Sequence, residues 1–258
     1  MPFENNVKTS LSSLKTELDG DTVLGQYDFK DYFLIRFLYS SNFHIPNALE
    51  KIKEYHYLVL HNSKIFIHPR PQDLLNINVK DKIFLNGRDR CGRKVLVVKL
   101  GKLNIRTTAM EEQVLLFNLL VEKVIGESLT LQNGLSIIFD VLNVPWKLIQ
   151  WMTPHNIKMA VKLLENYPLK EIIIHVVNKS YLVQIGVNIV WPFLSEERKE
   201  MIKFHFNNWP SLHKEVNPEV LPAEYGGSGP DLIFKEKELL SDAENLTKQI
   251  QQNMCLRN

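Results

Sequence analysis

The chain has 258 residues, enough for one large domain or two small ones with a real apolar core. Hydrophobic residues make up 45% and charged residues 23%, the balance of an ordinary globular protein rather than a disordered or membrane-spanning one. A net charge of +2, with no long Lys/Arg run, gives no pull toward nucleic acid, and the distant Cys91 and Cys255 have no metal-ligand spacing.

The first ten residues, MPFENNVKTS, lack the apolar core of a signal peptide, and Pro2 excludes N-myristoylation, so a reducing, cytosolic location is expected. A short polar helix is predicted up to Leu18, with Leu11, Leu14 and Leu18 on one face and Asp19-Gly20-Asp21 as its stop. A stronger helix follows in FKDYFLIRFLYSS, whose Phe29, Phe33, Leu34, Phe37 and Leu38 form a wide apolar stripe. Residues 42–46 read as a turn, with Pro46 opening a third helix that ends at His61. Residues 67–73, with Pro69 and Pro71, read as a linker.

The character then changes. Residues 82–86 and 94–100 are short apolar runs around a polar turn and predict a hairpin. Residues 109–125 predict a helix with Val114, Leu115, Phe117, Leu119, Val121 and Val124 inside, and Glu111, Glu112, Glu122 and Lys123 outside. A buried strand is expected over 135–142. The next helix is bracketed by Pro154 and Pro168. Residues 172–177, an apolar run with one His, predict a strand buried on both faces. The fourteen residues 181–194 predict a helix apolar on most sides, too short to span a bilayer. Such a helix hides in a core, covers an apolar cavity or meets a membrane surface. Ser195, Glu196 and Glu197 give the cap and acidic first turn of a helix over 195–203. The charged tail from Ile233 is expected as a surface helix that frays. Alternating strands and helices at these spacings predict a mainly parallel sheet with crossover helices, an α/β fold.

Catalysis is not supported by any motif. G-x-S-x-G, H-E-x-x-H and a Walker loop are absent, and Gly226-Gly227-Ser228-Gly229 neither follows a strand nor opens a helix. Asp140, at a strand end, reads either as a catalytic acid or as a cap for the next loop. His175 reads as a satisfied core histidine. The apolar surplus is more informative, since an apolar cavity above one face of the sheet would need it.

In family order, FLIRFL with Phe43, GRKVLVVKLGK, SIIFDV, MTP, YPLKEIIIHVVN, PFLSEERKEMIKFH and LPAEYGG cover nearly all of residues 28–227. With these stretches the chain resembles the CRAL-TRIO lipid-binding family, in its tocopherol-transfer and retinaldehyde-binding branch. The resemblance implies a helical domain over 1–75, a lipid-binding α/β domain over 76–230 and a tail over 231–258. It implies a hydrophobic pocket floored by the sheet and closed by a helical gate. Implied pocket positions are Val114, Phe117 and Val121, Leu135 and Phe139, Val144, Trp146 and Met152, and Leu163, Leu169 and Ile174. Implied gate positions are Tyr181, Leu182, Ile185, Ile189, Val190 and Phe193. The branch's phosphoinositide-headgroup patch falls on Ser41, Lys170, Glu197 and Met201, where only Lys170 keeps its charge, so recognition of that headgroup is expected to be weak or altered. No metal or cofactor is implied beyond a bound hydrophobic lipid, which leaves tocopherol, retinoid, carotenoid, sterol-like and phospholipid ligands open. The implied function is an intracellular carrier, not an enzyme, that touches a membrane transiently and takes up one lipid; a lipid-sensing adaptor without net transfer is the alternative.

Overall fold

Three amphipathic helices open the chain, α1 (Pro2–Gly20), α2 (Asp31–Ser40) and α3 (Ile45–His61). Their apolar stripes meet: Leu14 and Leu18 of α1, Phe33 and Phe37 of α2, and Ile52 and Tyr55 of α3 are all buried in one cluster. Asn42 and Phe43 take left-handed backbone between α2 and α3, which makes the turn expected there. The structure, a computed structural model, describes residues 2–67, 82–103, 105–106, 109–233 and 236–257. Apart from Ile67, the linker expected over 67–73 lies outside the described residues, as does the boundary expected near residue 75.

A five-stranded sheet follows, its spatial order the same as its chain order: β1 (Ile83–Arg88), β2 (Lys94–Lys99), β3 (Leu135–Asp140), β4 (Ile172–Val177) and β5 (Ile202–Phe206). The hairpin β1–β2 is antiparallel and every later pair is parallel. The crossovers carry α4 (Met110–Ile125) and α5 (Ser128–Asn133), then α6 (Pro154–Asn166), then α7 (Leu182–Val190) and α8 (Glu196–Glu200). This is the expected α/β fold with a mainly parallel sheet. Strand alternation gives each face its own partners. Leu135 and Ile137 face α4 and the N-terminal helices, whereas Ile138 and Val177 face α9 (Trp209–His213) and the turns after it.

Four expectations are corrected. The helix predicted over 195–203 stops at Glu200, because Ile202 and Phe204 alternate with Lys203 and His205 and so suit a strand. The helix predicted over 181–194 is α7 followed by a 3-10 turn, Trp191–Phe193, at Pro192, whose nitrogen cannot donate. The charged tail forms α10 (Glu236–Gln252) and packs against α4, burying Ala243, Leu246 and Ile250. Those residues form an apolar stripe that its charges mask.

Glu122 is the fourth. Expected outside, it is buried, because Arg36 of α2 donates to its Oε2 at 2.7 Å and the Tyr55 hydroxyl of α3 donates to its Oε1 at 2.9 Å. The Tyr167 hydroxyl donates to Asn118 Oδ1, and Asn118 donates to the Ile65 carbonyl at 2.7 Å. Burial, reinforced by the Glu122 charge, pushes both the Tyr55 and Tyr167 phenols well above the usual tyrosine range. Behind the sheet, His175 is hydrogen-bonded to Ser136 Oγ at 2.9 Å and to His205 at 3.0 Å, a satisfied core histidine as read from the sequence.

Two outcomes are expected. Glu122→Leu strands the Arg36 guanidinium and should lower unfolding free energy by about 3–5 kcal/mol in urea titrations, with Arg36→Met restoring most of the loss. Second, burial and then the neighbouring His205 hold His175 down to about 3, below the ordinary 6.5. Between those values the unfolded chain binds the extra proton, so stability falls as pH is lowered through that window, by up to about 1.4 kcal/mol per unit from this group. Urea midpoints across that range check the slope, and His175→Gln should flatten it.

Candidate functional site

Above the front face of β3–β5 lies an apolar cavity of about 450 Å³, within the roughly 300–1,000 Å³ range of small-molecule sites. Phe139, Ile174, Val176, Ile202 and Phe204 form its floor. Met110 and Val114 enter from the first turns of α4, and Ile157, Ala160 and Val161 from α6. Leu148, Ile149 and Trp151 come from a 3-10 stretch, Trp146–Trp151, and α7 forms the last wall. Among the described residues no charged side chain lines this space; Asn156 and Ser180 are the polar members.

Local sequence fixes these walls. Thr153 caps α6, its hydroxyl accepting from Asn156 N at 3.2 Å, and Pro154 follows in the first turn. Asn178 turns left-handed after β4, at the junction where a pocket floor and lid were expected to meet. Its Nδ2 donates to Asp140 Oδ1 at 2.6 Å, and its backbone N donates to the Phe206 carbonyl at 2.8 Å. Asp140 also accepts from Leu142 N at 2.9 Å and from the Tyr225 hydroxyl at 3.0 Å, which makes it a cap for the loop after β3. Burial first, then the Asp140 charge, pushes the Tyr225 phenol up, so it stays a donor.

Of the expected pocket positions, Val114, Phe139, Val144, Met152, Leu163 and Ile174 line the cavity. Val121, Leu135 and Leu169 are buried in the main core, and Phe117 packs against it, all away from the cavity wall. Trp146 is 59% exposed. Of the expected gate positions, Leu182 and Val190 line the cavity, and Ile189 and Phe193 pack with Ile157, Val161 and Leu194 beside it. Tyr181 and Ile185 face outward, 76% and 40% exposed.

Beside Leu182 and Val190, the inner face of α7 is Val183, Gly186 and Val187, none of them an expected gate position. The spacing 183, 187, 190 was available as a helical signal, but a helix apolar on nearly every side has no period that marks the inward face. Gly186 lies against Met152; a methyl group added there would meet Met152 Cε at 3.4 Å, ordinary contact.

The positions implied for a headgroup patch are spread differently. Lys170 and Glu197 are exposed, and Met201 Sδ accepts from Arg198 Nη1 at 3.4 Å. Ser41 is buried and its hydroxyl has no partner among the described residues. Lys51 of α3, missed from the sequence, donates to the Ser40 carbonyl at 2.9 Å. Burial, and then the Arg198 charge, hold its ammonium below the usual lysine value, while Glu197 opposes them. No local motif links Lys51 to Arg198, because only the fold brings α3 near α8.

No helix among the described residues is long and apolar enough to cross a membrane. A family model described as the CRAL/TRIO domain matches residues 78–227. Among curated relatives, Clavesin-1 of Rattus norvegicus is 27% identical over 207 residues, covering 78% of this chain and 58% of that protein. Clavesin-2 of Mus musculus is 28% identical over 204 residues, covering 78% and 62%. The chain therefore spans less than two thirds of the length of these relatives. The crystal structure of Sfh5 aligns with a TM-score of 0.54 at 12% identity, covering 96% of this chain and 98% of that one, a likeness of fold. With its domain model matched over more than half of its length, the chain belongs to the CRAL/TRIO family.

Proposed function

We propose that this chain binds one hydrophobic lipid, such as a tocopherol or retinoid, and carries it between membranes, with α7 as the gate. The observation that carries this reading is the uncharged cavity of about 450 Å³, walled on one side by a helix of nine residues. A helix that short is not stable alone, so its place depends on what it packs against. Exposing a chain of about twenty carbons to water costs roughly 16 kcal/mol at ~0.8 kcal/mol per methylene, which makes release into solution negligible. Exchange then takes place at a bilayer, where the outer apolar groups of the gate meet lipid and offset its opening. Tyr181, just before α7, and Ile185 on it, with Leu142 and Trp146 in the connection after β3, are exposed apolar groups that support this orientation. The working location is the cytosol, with transient membrane contact.

Lipid extraction of the purified protein followed by mass spectrometry should return one predominant hydrophobic species; an empty, well-folded protein would favour the adaptor instead. Ile185→Asp is the cleaner gate variant, because Ile189 packs inward while Ile185 is exposed. It should slow vesicle-to-vesicle transfer by at least about tenfold with an unchanged melting temperature, a loss of burial of ~1.5–3 kcal/mol; an unaltered rate removes the gate assignment.

Each basic group near anionic lipid contributes about 1 kcal/mol, and Glu197 stands among those present here. Vesicles containing phosphatidylinositol bisphosphate should therefore bind less than about tenfold better than neutral ones in co-sedimentation. Tight, headgroup-specific binding would overturn that expectation.

A further inference from the structure

We infer that Asn86 is a site of self-modification, at which the backbone nitrogen of Gly87 attacks the Asn86 side-chain amide and turns it into a carboxylate. The site is made by a bulge in β1. Leu85 pairs with Leu96 and Arg88 with Lys94, so two residues of β1, Asn86 and Gly87, stand opposite the single Val95 of β2. Within the bulge the Gly87 N–H donates to Asn86 Oδ1 at 2.9 Å, and Asn86 Nδ2 donates to the Val220 carbonyl at 2.5 Å. The two bonds hold the amide at both ends, with Cγ beside the nitrogen that attacks it. Holding the reacting groups in this way removes much of the entropy cost of ring closure. Gly87 is exposed and has no side chain to shield its nitrogen, so water and hydroxide reach it.

The step needs only water. Hydroxide takes the Gly87 amide proton, the nitrogen bonds to Asn86 Cγ, and the Cγ–Nδ2 bond breaks to release ammonia, whose last hydrogen comes from water. The five-membered succinimide then adds water at either carbonyl, leaving aspartate or isoaspartate at position 86. In total a water enters, an ammonia leaves, and nothing is oxidised or reduced. A second Asn-Gly pair, Asn133-Gly134, is disarmed by the fold. There the Gly134 N–H donates to the Thr130 carbonyl at 2.8 Å, closing the end of α5, and Asn133 Nδ2 reaches the Gly92 carbonyl at 3.5 Å. Nitrogen and amide are turned to different partners.

Conversion at Asn86 changes a contact between β1 and the back of the sheet. A carboxylate oxygen replaces the Nδ2 donor and faces the Val220 carbonyl, two acceptors with no proton between them. Val220 lies so close that a methyl group added to Gly87 would meet its Cγ1 at 2.6 Å. The repulsion therefore falls on the 3-10 turn Pro218–Val220, where Val220 packs with the back-face cluster of Phe84, Leu221 and Tyr225. The modification loosens this cover as the molecule ages.

Tryptic mapping of the full chain after warm incubation at mildly alkaline pH tests this, since residues 83–88 form one tryptic peptide and Asn133 falls in another. In the folded chain the 83–88 peptide should exchange NH for O at least about tenfold faster than the peptide holding Asn133. In urea, where only the shared Asn-Gly sequence counts, the two should convert at similar rates. The rate at Asn86 should rise with pH, because the nitrogen attacks only after losing its proton. Asn86→Gln, whose longer side chain has to close a six-membered ring, should remove the leading acidic species on isoelectric focusing. Asn86→Asp, which imitates one product, should lower the melting temperature. Equal conversion of the two peptides in the folded chain, or faster conversion at Asn133, overturns the assignment. An unshifted melting temperature of Asn86→Asp overturns its structural consequence.

Discussion

The buried ion pair between Arg36 and Glu122 is the constraint on which the arrangement around the cavity depends. Space above a sheet persists only if the surrounding helices cannot slide inward. Glu122 sits on α4, which also supplies Met110 and Val114 to the cavity wall, and Arg36 and Tyr55 clamp it to α2 and α3. Two charges out of water are costly to separate, so α4 has one docking position rather than a range. From the other side Lys123 pairs with Asp242 of α10 at 2.9 Å, and apolar residues of α10 close over the same helix. The N-terminal helices thus act as the back wall of the α/β unit, and one continuous apolar cluster runs from α1 to β4.

A second rigid feature is the carboxyl rim of the parallel strands. Each of β3, β4 and β5 ends at or close to a left-handed residue, Asn143, Asn178 and Phe206. For asparagine this backbone is mild, whereas for phenylalanine it costs roughly 1–2 kcal/mol. The hydrogen bond from Asn178 N to the Phe206 carbonyl, and that from Asn178 Nδ2 to Asp140, lock the three strand ends together. Helix α7, the proposed gate, therefore departs from a fixed edge. Under the proposed function, the part that moves lies beyond Asn178, in a short helix with no charge of its own.

Much of this frame was legible in the sequence, for physical reasons that also explain the failures. Buried parallel strands must be apolar throughout, so IIIHVV and SIIFD announce themselves, and prolines mark both ends of α6. The ordered family stretches then supplied the pocket that spacing alone could not. Glu122 was misread because its partner is 86 residues away and glutamate on a helix normally faces water. Strand β5 was hidden by a strong helix cap at Ser195 only seven residues earlier. In α10 the apolar stripe was diluted by charges. At Trp146 the reverse occurred: the resemblance implied a lining residue, but the side chain stands largely in solvent.

The face of α7 is a different kind of failure, one of principle rather than of signal. Periodicity identifies the inward side of a helix because the outward side is polar. Here Val183, Val187 and Val190 face the cavity while Tyr181 and Ile185 face out, so both sides are apolar. Such a helix is poorly suited to a surface in contact with water alone, and it suits one that meets a second apolar phase part of the time. Under the proposed function the two sides have separate tasks, the inner one matched to ligand and the outer one to a bilayer. The absence of a readable period is then a consequence of the gate's two environments.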